Sequence, residues 1–93
     1  MELPKNQFNN VIRVLKTAPI DRVRQIRTMT FKTMKRLGVE RDFLYGISKT
    51  PKGSDQVDVG AIVTWLNKIQ PSDEAAIRQL LSIDATACKR INE

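Results

Sequence analysis

The chain has 93 residues with sixteen Lys/Arg, ten Asp/Glu, one cysteine and no histidine, giving a net charge of +6. That length suits one domain with a thin core and leaves little room for an enclosed substrate cavity. The missing histidine removes the usual base of a nucleophile triad and, with only one thiol, any ligand set for structural zinc.

Cys88 has no partner for an intrachain disulfide, which fits a reducing compartment. No apolar run approaches the ~18 residues of a membrane span, and the start lacks the uninterrupted apolar stretch of a signal peptide. The expected address is the cytoplasm, with no membrane partner.

The first helix is expected from about Pro4 to Thr17. Phe8, Val11, Ile12 and Leu15 recur there at helical spacing, and Pro4 is acceptable in a first turn. Thr17-Ala18-Pro19 breaks it. The second runs from about Pro19 to Leu37, with Ile20, Val23, Ile26, Thr30, Phe31, Met34 and Leu37 on one face. Arg22, Arg24, Lys32, Lys35 and Arg36 occupy the rest of its circumference. Gly38 suits a left-handed cap, with Lys35 and Arg36 near the negative end of the helix dipole.

Val39–Ser48 reads as a short helix carrying Phe43, Leu44 and Ile47, followed by a loop over Lys49–Ser54. Ser54 or Asp55 is the expected cap of a helix over about Gln56–Gln70. Its wide apolar arc of Val59, Ile62, Val63, Trp65, Leu66 and Ile69 predicts the most buried element. The last helix, about Asp73–Ile91, starts at Pro71-Ser72-Asp73-Glu74 and turns Ile77, Leu80, Leu81, Cys88 and Ile91 to the core. A break at Ser82-Ile83-Asp84 is possible, with Asp84 capping a final turn. No strand-like alternation competes, so the expected fold is all-α: a small single-domain bundle of four to five helices.

Charge divides this domain unevenly. Residues 1–52 hold twelve Lys/Arg against four Asp/Glu, whereas residues 53–93 hold four against six. A basic half joined to an apolar, mildly acidic half suggests a docking surface for a polyanion mounted on a core.

The segment Thr30–Ser48, TFKTMKRLGVERDFLYGIS, resembles a helix-turn-helix. Met34 and Leu37 precede the turn, Gly38 makes it, Val39 follows, and Leu44 and Ile47 match the later core positions. The resemblance implies that the second helix lies in a DNA major groove. Arg41 is then the base-contacting residue, because a guanidinium can bond two acceptors on guanine. Tyr45, Lys49 and Lys52 would contact phosphate, and Arg22, Arg24, Lys32, Lys35 and Arg36 would hold the backbone electrostatically. A short helix reading one half-site also makes a homodimer possible.

The leading expectation is thus a non-enzymatic DNA-binding regulatory or accessory protein. The alternative is a protein-interaction module, an adaptor or inhibitor whose basic face binds an acidic partner surface. Glu40 and Asp42 fit that alternative better. No catalytic constellation, cofactor motif or glycine-rich phosphate loop is present. Four of the five aromatics sit at core-like positions, leaving Tyr45 as the sole stacking residue, which argues against single-strand binding.

Two charges fall inside apolar arcs: Arg27 on the second helix and Asp84 on the last. A buried charge is costly unless paired, so an Arg27–Asp84 ion pair is expected. The alternatives are a cap role for Asp84 and a partner contact for Arg27. Met29 and Ile83 point away from their stripes and are candidates for a dimer or partner interface.

Overall fold

In a computed structural model describing residues 1–93, four α-helices form an all-α bundle without strands. They are α1 (Lys5–Thr17), α2 (Ile20–Leu37), α3 (Val59–Lys68) and α4 (Glu74–Ile91), with a 3₁₀ turn at Phe43–Tyr45 between α2 and α3.

The helix ends follow local chemistry. Pro19, whose ring cannot continue α1, opens α2 instead. Gly38 closes α2 at φ 69°, where a side chain would be strained. The Val39 N–H returns to the Met34 carbonyl at 3.0 Å, and Leu37 and Val39 pack on the core beside it. Asp73 caps α4 by accepting the Ala76 N–H. The cap of α3 is Asp58, not Ser54 or Asp55; its carboxylate accepts the Ala61 N–H at 3.1 Å.

The most buried helix is α4, not α3. From Leu80 to Cys88 α4 is buried on nearly every side, and only Ser82 is half-exposed. Ala85, Thr86, Ala87 and Cys88 are small, so neighbouring segments can approach it closely. It packs against α1, α2 and the 3₁₀ turn, while α3 rests on α2. Helix α3 buries Ile62, Trp65 and Leu66 but leaves Val59 and Val63 exposed. Trp65 is in the core and donates its indole N–H to the Met1 carbonyl at 2.7 Å. Full burial of a Val, Leu or Ile contributes about 1.5–3 kcal/mol, so Leu80, Leu81 and Ile83 on α4 and Val11, Ile12, Val14 and Leu15 on α1 supply much of the stability.

Ile83 is therefore core and not an interface residue, and Met29 is half-buried against the core. Helix α4 runs through Asp84 without interruption, which removes the cap role for that residue.

The expected helix over Val39–Ser48 does not form; only Phe43–Tyr45 makes a single 3₁₀ turn. Asp42 ends the possibility locally by accepting the Leu44 N–H at 2.9 Å. Ile47 donates its N–H to the Thr86 hydroxyl at 3.2 Å, a tertiary bond that replaces a helical one. A ten-residue helix containing Gly46 has too little intrinsic stability to resist these competitors. The following loop is tied to α1, where Asn10 accepts the Ser54 N–H and Arg13 pairs with Asp55 at 2.9 Å.

Candidate functional site

The basic residues singled out by the sequence have different fates. Arg24, Lys32 and Lys35 are exposed along α2 and make no ion pair; Lys49 and Lys52 are exposed in the loop. Arg36 is engaged: its Nη2 donates to the carbonyls of Leu66 at 2.8 Å and Ile69 at 3.0 Å, closing the C-terminal end of α3. Arg90 does the same for α1, donating to the Leu15 carbonyl at 2.9 Å. A cation at a helix C-terminus both fills orphan carbonyls and opposes the dipole. Arg22 stands between a polar hollow of about 700 Å³ and an apolar groove of about 340 Å³ lined by Ile26, Met29, Val57 and Val59.

Arg41 is not an outward residue on a recognition helix. Its Nε donates to Asp84 Oδ2 at 2.9 Å, and its guanidinium lies 4.8 Å from the centre of the Phe31 ring. Asp84 is 1% exposed, and its other oxygen accepts the Thr30 hydroxyl at 2.9 Å. The expected pairing of Asp84 with the basic half is therefore present, but through Arg41 and not Arg27, which makes no ion pair. The Cys88 thiol lies 3.9 Å from the same carboxylate. Burial, reinforced by that negative charge, pushes the thiol pKa above its ordinary value.

A helix-turn-helix needs a second helix to enter the groove, and here that segment is a turn. The chain matches no family model, no curated protein and no solved structure.

On the surface, Phe31 and Phe43, expected in the core, are exposed, whereas Tyr45 is exposed as expected. Phe31 is 42% exposed, Phe43 51%, Leu44 92% and Tyr45 36%. Arg41, two residues before Phe43, carries its guanidinium over the Phe31 ring on α2. Lys35 Nζ lies 5.5 Å from the centre of the same Phe31 ring. The exposed Phe31 ring therefore has Lys35 and Arg41 beside it. Glu40 is exposed next to Arg41, and Asp42 is half-buried with one oxygen held by Leu44.

The Phe31 signal was available in the sequence. At 100° per residue it lies about 80° from Val23 but only about 20° from Arg24, on the edge of the solvent face. Phe43 and Leu44 carry no such signal, because their exposure depends on the missing helix.

No group of three or more His, Cys, Asp or Glu side chains could hold a metal ion. No helix is long and apolar enough to cross a membrane.

Proposed function

We propose that this chain is a helical protein-interaction module that docks the patch of Phe31, Phe43, Leu44 and Tyr45 onto an acidic partner surface. The observation that carries this reading is the exposure of Phe31 on α2 and of Phe43, Leu44 and Tyr45 on the 3₁₀ turn, four large side chains absent from the core cluster. Aromatic anchors ringed by cations are the composition of an interface centre with its rim. The net charge of +6 gives the acidic partner its attraction. In this reading the module performs no chemistry of its own, and its unpaired Cys88 suits a reducing, cytoplasmic setting.

Duplex DNA is the second reading, favoured by the unpaired Arg24, Lys32 and Lys35 along one helix, with Lys49 and Lys52 in the loop. It would rest on phosphate contacts, since no helix enters the groove.

Leu44→Gln separates the two, because it changes neither charge nor core. Under the docking reading, chemical crosslinking in an extract of the source cells captures a partner with the wild-type chain, and the variant loses it. Binding to duplex and single-stranded DNA, followed by fluorescence anisotropy at about 50 and 200 mM salt, is then weak. Micromolar DNA binding that collapses with salt and ignores Leu44→Gln would transfer the function to the second reading.

A further inference from the structure

We infer that Arg41 is a pre-oriented receptor for a carboxylate of the partner, held in place by the buried Asp84; this rests on the docking reading above. Only the Nε–H of Arg41 is engaged inside the chain, by Asp84 Oδ2 at 2.9 Å. Its two Nη groups make no hydrogen bond to the protein and reach solvent, the side chain being 29% exposed. Asp84 cannot move aside, because it is enclosed and also holds the Thr30 hydroxyl. The Phe31 ring at 4.8 Å restricts the guanidinium from a second direction.

The result is a planar fork fixed from behind, with its outward donors unused. A planar carboxylate meets such a fork through two parallel N–H···O bonds. Fixing the fork in advance removes part of the ordering cost of binding.

The surrounding charges favour an anion. Lys35 and Arg41 flank one ring and so lie no more than about 10 Å apart. Arg27 also acts on the Cys88 thiol beside Asp84, so two cations, Arg41 and Arg27, serve that neighbourhood. Of the nearby acids, Asp42 already accepts the Leu44 N–H and Glu40 is exposed to solvent, where its repulsion is screened.

The test is an NMR titration of the ¹⁵N-labelled chain with a blocked hexaglutamate peptide, following the Arg41 Nε–H and the Phe31 ring. A saturable shift of both is expected. Arg41→Lys keeps the charge but loses the fork, and should weaken binding roughly tenfold.

Asp84→Asn decides between positioning and plain attraction. Removing a negative charge should strengthen anion binding if charge alone matters; loss of the anchor should weaken it severalfold. A melting curve and the ¹⁵N spectrum report whether the variant is folded. Should it not fold, Thr30→Val keeps every charge while releasing one side of Asp84, and the same weakening is expected.

Tighter binding to the folded Asp84→Asn chain, equal affinity for Arg41→Lys, or a preference for inorganic phosphate over the peptide would each overturn the assignment. Intact peptide binding with no captured partner would sink the docking reading, whereas a captured partner without Arg41-dependent peptide binding would sink only this site.

Discussion

Arg41 and Asp84, 43 residues apart in the chain, meet in a 2.9 Å bond that fastens the segment after α2 to the middle of α4. The carboxylate is enclosed and the guanidinium partly solvated. A charge at that depth is sustained only because Arg41 and Thr30 both donate to it.

Removing the carboxylate leaves the Thr30 hydroxyl without this partner and frees Arg41. Asp84→Ala should therefore lower the unfolding free energy by about 2–4 kcal/mol in urea denaturation, toward the low end because Arg41 can turn to water. A double-mutant cycle locates the partner. Arg41→Ala with Asp84→Ala should show coupling of at least about 1 kcal/mol, and Arg27→Ala with Asp84→Ala less than about 0.5 kcal/mol. The reverse order would refute the observed pairing.

Arg36 links two elements without an acid. Arg36→Gln should cost about 1–2 kcal/mol in the same assay, since two carbonyls at the end of α3 lose a charged donor. Lys32→Gln, one turn earlier and free, should change stability by less than about 0.5 kcal/mol. Equal effects would show that Arg36 is only another solvated cation.

The glycines at 38 and 46 differ in kind. Gly38 sits at φ 69°, so Gly38→Ala should cost about 1 kcal/mol from backbone strain alone. A Cβ at position 46 would meet the end of the Lys89 side chain at 2.9 Å, and that flexible chain can swing away. Gly46→Ala should be close to neutral in thermal melts. A larger loss at 46 than at 38 would contradict this view of the turn.

Cys88 makes stability depend on alkaline pH. Its folded pKa lies above the ordinary value of 9.0, chiefly through burial and then through Asp84. Below that value the thiol is protonated in both states and its contribution is complete. As pH rises past it, the unfolded chain ionises first and the contribution is lost. Wild-type stability should therefore fall more steeply above pH 9.0 than that of Cys88→Ala. Parallel curves would mean that the thiol ionises equally well in both states. The native thiol should also react slowly with alkylating agents until denaturant is added.

Much of the bundle was legible residue by residue. The apolar stripe Val11, Ile12 and Leu15, the break at Pro19, the cap at Gly38 and the start at Asp73 all lie where spacing and end chemistry put them. The stripe on α2 was legible too, apart from Phe31 at its edge. The rank of α3 and α4 was not. The wide arc of α3 carries Val59 and Val63 into solvent, whereas α4, with smaller residues, is enclosed because three segments converge on it.

The sequence by itself determined the helical class, most helix ends and the need of Asp84 for a cation. These depend on a 3.6-residue period, end chemistry and the cost of a buried charge, all of which act within a few residues. Only the tertiary structure decided which cation answers, that Val39–Ser48 is held as a turn, and that Phe43 and Leu44 face outward. Those outcomes compare a weak local helix with bonds to Asp84 and Thr86 from distant parts of the chain. Once the distant bonds are available they outweigh a short helix containing glycine, and the surface presented to a partner follows from that balance.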